Sequence, residues 1–288
     1  MRPLVSIVIL AHNRHAVTRL CLRSLKDSTY RPMELLLVDN GSTDETPQML
    51  DEIVPVLEAS GLSVMRMRNA QNCGCCTARN AALRQAHGDF IKLMDNDVVA
   101  RKRDWAELEV AALQSDPSVG IVGGKLVFPT PPFPIQFAGG VVSPSGKVGF
   151  LGRGEPRTAP EHNRPRFVQC YISAQMMFPR RLLDEVGYLD EDFNPFQFED
   201  IDYSYRVRER GYRILYLPEA EMYHLENVTT GGTDSPRYRY ITGINYAKFR
   251  KKWRHAFTQE GGPDDSQITW LQLPKVKFET IGPLELVD

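Results

Sequence analysis

The amino-acid sequence predicts an α/β fold with a mainly parallel central sheet in a single domain. Over residues 1–125, short apolar runs alternate with segments of helical character. Apolar strands separated by helices are typical of βαβ units, which build parallel sheets. The chain has 288 residues, of which 42% are hydrophobic and 25% charged, an ordinary globular mixture that can bury a large core.

The first half is expected to alternate strictly between strand and helix. Leu20, Leu22 and Leu25 indicate the apolar face of the first helix, and the turn residues of Asn40–Asp44 open the second. The predicted strands are 4–11, 33–39, 62–68, 89–95 and 120–128, and the predicted helices are 15–27, 44–60, 75–87 and 103–115.

The second half is less regular. It begins with a long excursion at 129–166, rich in Pro and Gly, in which a hairpin is expected around 141–150. The elements predicted after it are a strand at 167–180, a short helix at 180–187, a helix at 199–210, a strand at 212–224 and a basic amphipathic helix at 236–253. We therefore expect one domain at 1–257, with halves at 1–128 and 129–257, followed by a polar tail at 258–288.

Composition restricts the partners and the compartment. A formal net charge of −1 gives no electrostatic reason to expect nucleic acid or an anionic membrane as partner. The sequence contains no run of about 18 apolar residues, the length that a membrane span needs. With no signal segment evident, we expect a cytoplasmic protein whose five cysteines are reduced. Zinc binding by Cys73, Cys75 and Cys76 is an alternative, although their spacing is not CxxC.

Polar residues stand where several predicted strands end. They occur at Ala11–Asn13, at Asp39 and Asn40, in the segment 72–80 that opens the third helix, and at Asp95–Asp97. Each alone has a simpler explanation, namely a helix cap, a surface arginine or a solvated turn. Because ligands of open α/β sheets bind outside the carboxyl ends of the strands, their agreement in position favours one binding site.

These segments resemble those of the family-2 glycosyltransferases of the GT-A fold. The resemblance covers residues 1–253, and its last block is similar to that of bacterial rhamnosyltransferase-type members. The residues that carry it are "VSIVILAHNR" at 5–14, "ELLLVDNGSTDET" at 34–46, "NCGCCTARNAAL" at 72–83, "GDFIKLMDND" at 88–97 and "FEDIDYSYRVRERGYRILYLPEAEMYH" at 198–224. The cysteines at 73, 75 and 76 depart from the family, which more often has Gly, Ala or Ser there.

The resemblance implies that 1–128 is the nucleotide-binding half of the domain and 129–257 the acceptor-binding half, and it implies a role for each group of site residues. Asp200 is expected to be the general base and Glu199 to orient the base or the acceptor, although acidity at a helix N-terminus and Asp202 as base are alternatives. Asp97 and His224 are expected to bind a divalent metal, Mn²⁺ or Mg²⁺, and the loop 226–232 to close over the diphosphate. Residues assigned to the nucleotide or donor are Ala11, Asn13, Asp39, Asn40, Asn72, Arg79, Asp95 and Asn96, and those assigned to the acceptor or the sugar are Gln175 and Trp105.

The predicted activity is therefore inverting, metal-dependent sugar transfer from a nucleoside-diphosphate sugar, with UDP or dTDP favoured. The acceptor hydroxyl could belong to a glycan, a lipid-linked sugar, a peptide side chain or a metabolite, and the oligomeric state is open. Peripheral contact with the inner membrane face through the basic residues of 237–254 is a further expectation, whose alternative is a solvated helix face. A sugar nucleotidyltransferase should have a Gly-rich loop where this chain has "AHNRHAVTRL". A non-catalytic nucleotide-sugar-binding protein should lack the base and the metal ligands.

Overall fold

The strands observed in the first half follow the predicted alternation. The structure, a computed structural model, describes residues 2–226, 232–273 and 276–287. The strands are β1 (Val5–Ala11), β2 (Met33–Asn40), β3 (Leu62–Asn69), β4 (Phe90–Asp95), β5 (Val98–Ala100), β6 (Val119–Val127), β7 (Ile135–Phe137), β8 (Gly140–Val142), β9 (Val148–Phe150), β10 (Arg166–Val168), β11 (Gln175–Pro179) and β12 (Arg213–His224). The hairpin expected around 141–150 is confirmed as β8 and β9.

Each helix boundary lies within four residues of its predicted position. They are α1 (His15–Lys26), α2 (Thr46–Ala59), α3 (Cys75–Leu83), α4 (Trp105–Ser115), α5 (Leu182–Glu185), α6 (Glu199–Glu209) and α7 (Pro236–Phe257). The start of α7 has a clear chemical cause, since Ser235 Oγ accepts a hydrogen bond from Tyr238 N–H at 3.3 Å and Pro236 occupies the first helical position.

The central sheet has the order β10-β12-β6-β11-β4-β1-β2-β3. Strands β4, β1, β2 and β3 run parallel to one another, and β12 is parallel to β6. Strand β11 lies between β4 and β6 and is antiparallel to both. Because β11 and β12 come from the second half of the chain, both halves share one sheet and one α/β domain.

A buried ion pair joins the sheet to α4. Lys92 Nζ on β4 donates hydrogen bonds to both carboxylate oxygens of Glu109 at 2.7 Å, and both side chains are fully buried. Gln175 Nε2 donates to the same carboxylate at 3.2 Å, which supplies a further partner for the buried charge. A charge taken out of water needs such partners, so this group ties the middle of the sheet to the helix beneath it.

Helix α7 packs against the segment that precedes α6. Asn245 Nδ2 contacts three backbone oxygens of this segment, and Lys252 pairs with Asp190 at 2.8 Å. Lys248 and Arg250 also donate to backbone carbonyls, so part of the basic face expected to meet a membrane is engaged within the protein. Within the described ranges, no helix combines the length and apolar character needed to cross a bilayer.

Candidate active site

The register of the parallel strands brings the predicted polar residues to one edge of the sheet. Ala11 at the end of β1 lies opposite Asp39 at the end of β2, and Leu10 lies opposite Asp95 at the end of β4. Asp39 is in turn opposite Arg68 on β3. The carboxyl ends of these neighbouring strands therefore form one continuous polar rim, the usual position of a ligand in such a sheet.

Asp39 has an acceptor that the protein leaves free of hydrogen bonds. Its Oδ1 accepts a hydrogen bond from Ser42 N–H at 2.9 Å, which fixes the turn after β2. Its Oδ2 is buried and accepts no hydrogen bond from the described residues, although Arg68 Nε lies 3.4 Å away as an ion-pair partner. A buried carboxylate oxygen without a hydrogen bond is costly, and a ligand N–H or O–H can satisfy it.

Asn13 holds the two turns of this rim together. Its Oδ1 accepts hydrogen bonds from Thr43 N–H at 2.8 Å and from Asp44 N–H at 3.2 Å, while its own N–H donates to Ser42 Oγ at 2.8 Å. Asn13 has a φ of 58°, a left-handed conformation that Asn tolerates better than most residues. Its side chain thus shapes the first turn from within the protein.

Asn40 and Asn72 belong to a second network of side chains. Asn40 Nδ2 donates to Asn72 Oδ1 at 3.2 Å, and Asn40 Oδ1 accepts from Asn69 Nδ2 at 2.9 Å and from Cys73 N–H at 3.2 Å. Asn72 Oδ1 also accepts from Gly74 N–H at 2.9 Å. These bonds connect the ends of β2 and β3 to the segment that opens α3.

Three candidate metal ligands converge at the ends of β4 and β12. One ligand atom each from Asp95, Asp97 and His224 lies within 4.8 Å of the others, and His224 Nε2 is 3.2 Å from Asp97 Oδ1. His224 Nδ1 lies 2.6 Å from Gln136 Oε1. Because the Gln oxygen can only accept, His224 donates from Nδ1, and this fixes the orientation that directs Nε2 towards the carboxylates.

The charge state of His224 depends on those carboxylates. Burial alone would lower its pKa, but the charge of Asp97 and the hydrogen bond to it raise the pKa above the ordinary value, with a smaller contribution from Asp95. The side chain thus carries a proton more readily than a free imidazole. Oxygen and imidazole ligands together suit Mn²⁺ or Mg²⁺, and a bound cation would replace this proton.

Arg79 connects the candidate metal ligands to the start of α6. It is buried and donates to Ser173 Oγ at 2.7 Å, to Glu199 Oε1 at 3.2 Å and to Asp95 Oδ1. Burial would lower its pKa, but the charge of Asp95, with help from Glu199, raises it, so the guanidinium is always charged. Arg79 therefore positions two carboxylates from different parts of the chain.

Asp200 lies next to this arginine network and has the protonation behaviour of a base. Its carboxylate accepts hydrogen bonds from Ser173 N–H at 3.0 Å and from Ile201 N–H at 2.8 Å. Loss of solvation, followed by repulsion from Glu199, raises the pKa of Asp200 to about 7. A carboxyl group with this pKa can take up a proton near neutral pH.

Asp202, the alternative base, is committed to structure. Its side chain is fully buried, and it accepts hydrogen bonds from Arg206 Nε at 2.9 Å and from Trp253 Nε1 at 2.8 Å. Lys252 Nζ lies 2.8 Å from the same carboxylate. These three partners join α6 to α7, and they leave Asp200 as the stronger candidate.

The structure does not bring three of the predicted side chains to this site. Asn96 Nδ2 donates to Thr18 Oγ1 at 2.8 Å and faces α1, although Asn96 lies between two site residues in sequence. Gln175 is fully buried and faces Glu109, because β11 turns this side chain towards α4. Trp105 is also fully buried and packs its ring 5.1 Å from Lys92 Nζ.

Sequence reasoning missed several contributors. Gln136, Ser173 and the tail residues Phe278 and Glu279 belong to no sequence motif, and only the folded chain brings them to the site.

A cleft of about 550 Å³ lies beside the first turn. It is lined by His12, Asn13, Arg14, His15, Ala16, Val17, Thr43, Asp44, Glu45, Phe278 and Glu279. Most of the loop predicted to close over a diphosphate, 226–232, falls outside the described residues.

Comparisons with known proteins find a matching family and relatives of this chain. The sequence profile of glycosyl transferase family 2 matches residues 6–187. The chain is 34% identical over 263 residues to the uncharacterized protein y4gI of Sinorhizobium fredii, covering 88% of this chain and 28% of that protein. It is 27% identical over 255 residues to the O-antigen biosynthesis protein RfbC of Myxococcus xanthus, covering 86% of this chain and 19% of that protein. The chain thus spans less than a third of either relative.

A solved structure shares the fold. The mannosyltransferase PcManGT from Pyrobaculum calidifontis, in complex with GDP-Man and Mn²⁺, superposes with a TM-score of 0.62 and 21% sequence identity. The superposition covers 90% of this chain and 70% of that one.

Proposed function

Because this chain belongs to glycosyl transferase family 2, we propose that it transfers a sugar from a nucleoside-diphosphate sugar to an acceptor hydroxyl, with inversion at the anomeric carbon. The observation that carries the proposal is the convergence of Asp95, Asp97 and His224 at the carboxyl ends of the strands, joined through Arg79 to Glu199 and, by way of Ser173, to Asp200.

The rim of the sheet supports binding of the nucleotide. The free Oδ2 of Asp39 can accept a hydrogen bond from a base or ribose, and Asn13, Asn40 and Asn72 hold the surrounding turns in place. Ala11, which has a small side chain, ends β1 opposite Asp39. We assign UDP or dTDP as the favoured donor nucleotide, with GDP as the competitor to test, since the Pyrobaculum neighbour was solved with GDP-Man.

The donor set at Asp97 and His224 fits a divalent metal. One ligand atom from each of two carboxylates and an imidazole lies within 4.8 Å of the others, and the hydrogen bond from His224 to Gln136 leaves Nε2 available as a ligand. Mn²⁺ or Mg²⁺ bound there would supply positive charge to the departing diphosphate. Asp97 and His224 would hold this ion, while Asp95 stays oriented by Arg79 towards the same point.

Asp200 supplies the other requirement of the reaction. Its carboxylate takes the proton from the acceptor hydroxyl while the acceptor oxygen bonds to the anomeric carbon. The bond from that carbon to the diphosphate breaks in the same displacement, and the electron pair leaves with the diphosphate. Glu199, held by Arg79, keeps the base oriented and raises its pKa. A single base on the acceptor side, with no second nucleophile assigned among the described residues, gives inversion.

Nucleotide titration tests the first half of the proposal. Calorimetry with UDP, dTDP and GDP, each with Mn²⁺ and with EDTA, should show tight binding of one nucleotide only when the metal is present. Asp97→Asn should lose the part of nucleotide binding that requires Mn²⁺. Binding of the same nucleotide with EDTA would remove the metal from the mechanism, and binding of none would contradict the donor class.

Product analysis tests the second half. Incubation of the sugar form of the selected nucleotide with glycan, lipid-linked and small-molecule acceptors should release the nucleoside diphosphate and form a glycoside of inverted configuration. Formation of a new nucleotide sugar from a sugar phosphate would instead indicate a nucleotidyltransferase. Nucleotide binding without any turnover would indicate a non-catalytic binding protein.

A further inference from the structure

We propose that Cys75, Cys76 and Glu199 form a second metal site, which takes a soft divalent ion of the Zn²⁺ or Cd²⁺ type. The two cysteines open α3 and the glutamate opens α6. One ligand atom from each residue lies within 4.8 Å of the others. These thiols are the part of the sequence pattern that the proposed sugar transfer leaves without a role.

The geometry of the thiol pair matches a tetrahedral ion. Cys75 Sγ and Cys76 Sγ are 3.8 Å apart. A tetrahedral ion that bonds two sulfurs at about 2.3 Å each separates them by about 3.8 Å. The two sulfurs therefore need little movement to bind the same ion.

Glu199 provides an independent indication of a ligand. It is 5% exposed, and its Oε1 accepts a hydrogen bond from Arg79, but its Oε2 is buried without a hydrogen bond from the described residues. Such an oxygen requires a partner, and a cation between it and the thiols would supply one. Cys75 is partly exposed, so an ion and a water as fourth ligand can enter from its side.

The ligand chemistry separates this site from the one at Asp97. Thiolates select soft ions such as Zn²⁺, whereas carboxylates and water suit Mg²⁺ and Mn²⁺. Binding breaks two S–H bonds, releases two protons and forms two metal–sulfur bonds without a change of oxidation state. Excess Mg²⁺ should therefore leave the thiol site open to a soft ion.

Occupancy of this site would affect the proposed catalytic centre. Cys75 N–H donates to Pro195 O at 2.8 Å and Cys76 N–H to Asn194 Oδ1 at 3.0 Å, which ties α3 to the segment before Asp200. An ion on Glu199 would also add positive charge beside that base. We therefore expect Zn²⁺ to inhibit turnover, and this consequence rests on the proposed function.

Cadmium titration of the full chain in excess Mg²⁺ tests the site without reference to activity. The thiolate-to-cadmium absorption band should grow to one equivalent. Cys75→Ser should weaken binding at least about tenfold, as loss of a ligand does, and Glu199→Gln should weaken it while keeping the band. Cys73→Ser is the matched control and should bind normally, because the Cys73 sulfur contacts Asn69 instead.

Absence of the band in the wild-type protein, or a band unchanged by Cys75→Ser, would overturn the proposal. Cys76 is fully buried, so the Cys76→Ser result counts only if circular dichroism shows that this variant is folded. If it is not folded, Cys75→Ser is the test, because Cys75 is partly exposed. Zn²⁺ added at saturating Mn²⁺ should lower turnover in the wild type and have no effect on Cys75→Ser. A normal cadmium band in a chain that transfers no sugar would refute the proposed function and leave the metal site standing.

Discussion

At the scale of single residues, Asp200 differs from its neighbours because its carboxyl holds a proton up to about neutral pH. Loss of solvation and the adjacent charge of Glu199 both favour the protonated form. Asp202, two positions later, accepts hydrogen bonds from an arginine and an indole N–H and pairs with a lysine. Two carboxylates of one helical turn thus have different surroundings, which the sequence alone left open.

Replacement of the base should separate chemistry from binding. Asp200→Asn removes the proton acceptor but keeps the shape of the side chain, so we expect kcat to fall about 100-fold to 10,000-fold, the usual contribution of a general base. The nucleotide dissociation constant should stay within a factor of about three, because Asp200 has no part in the proposed nucleotide rim. Steady-state kinetics and calorimetry on the same preparation measure both quantities.

The control for this prediction is Asp192→Asn, which removes an exposed carboxylate seven residues before α6 begins. It should leave both constants unchanged. Equal turnover in Asp200→Asn and in the control would rule out Asp200 as the base.

The pH dependence of turnover should report the same carboxyl group. Since a base acts only when deprotonated and the pKa of Asp200 is raised to about 7, kcat/KM should fall as pH drops below about 7. Glu199→Gln removes a negative charge that raises this pKa, so the acid limb should move to lower pH. A profile of kcat/KM from pH 5 to 9 for both proteins checks the shift, and a move to higher pH would contradict the assignment.

Residue positions in sequence predicted backbone placement better than side-chain direction. The Asp95–Asp97 turn lies at the end of β4 as expected, but the middle residue, Asn96, faces Thr18. Gln175 is next to the site in the sheet and still points to the opposite face. Direction depends on how each strand twists and on what packs beneath it, and neither can be inferred from a short motif.

At the scale of elements, the long periodic segments, the short helix α5 and the hairpin of β8 and β9 were predictable, whereas the short strands β5 and β7 were not. The helices α1 to α4 and the strands β1 to β4 lie close to their predicted bounds, because each carries enough apolar residues to show its period. Strands β5 and β7 have three residues each and exist through pairing with β12 and β6. The single strand predicted at 167–180 is two strands, β10 and β11.

Contacts from distant parts of the chain cause this interruption. Gln169 exchanges hydrogen bonds with the backbone of Val142, and Tyr171 N–H donates to Ser204 Oγ at 3.0 Å. These partners hold the intervening segment away from the sheet ladder. Local β propensity is therefore overridden by tertiary contacts, as is common for short apolar runs.

Helix α7 should control the position of the catalytic turn through Asn245. Its Nδ2 donates to the carbonyl oxygens of Phe193 at 2.7 Å, Phe196 at 2.8 Å and Gln197 at 3.2 Å. Asn245→Ala leaves these buried acceptors unpaired, so we expect a loss of about 1–3 kcal/mol in the free energy of unfolding. Because Gln197 and Phe198 hold left-handed φ angles just before Glu199, kcat should fall as well.

Chemical denaturation and steady-state kinetics measure these two effects. Tyr240→Ala is the control on the same helix, since this side chain is 71% exposed, and its free energy of unfolding should change little. If Asn245→Ala lost stability but kept full kcat, Asn245 would serve the fold without positioning the site.

At the scale of the whole molecule, the sequence predicted the class of the sheet but not its order. Alternation of strands and helices accounts for the parallel β1-β2-β3 portion, where consecutive strands are neighbours in the sheet, and β4 crosses over to pair with β1. The antiparallel β11 enters between β4 and β6 from far along the chain. No local pattern encodes such a pairing, and the sequence analysis predicted only a mainly parallel sheet.

The order of the sheet also explains why the site draws on the whole chain. Asp39 and Asp95 come from the first half, His224 from the end of β12 and Glu199 from α6, yet one rim and one arginine join them. A ligand at the rim would therefore connect segments that are far apart in the sequence.

The rhamnosyltransferase-like subgroup stays a prediction, because the family match is broader than that subgroup.

Ligand binding should accordingly stabilise the entire domain in one transition. A ligand at 100 times its dissociation constant adds about 2.7 kcal/mol to the free energy of unfolding, so the selected nucleotide with Mn²⁺ should raise the Tm by several degrees. Asp97→Asn should lose the part of this shift that requires Mn²⁺, because Asp97 and His224 would join the ends of β4 and β12 through the ion.

Glu155→Gln, which changes a carboxylate paired with His162 away from the rim, is the matched control and should retain the shift. Scanning calorimetry with and without EDTA measures it. A shift of equal size in Asp97→Asn would place the metal elsewhere, and two separate transitions would mean that the halves of the chain unfold independently despite their common sheet.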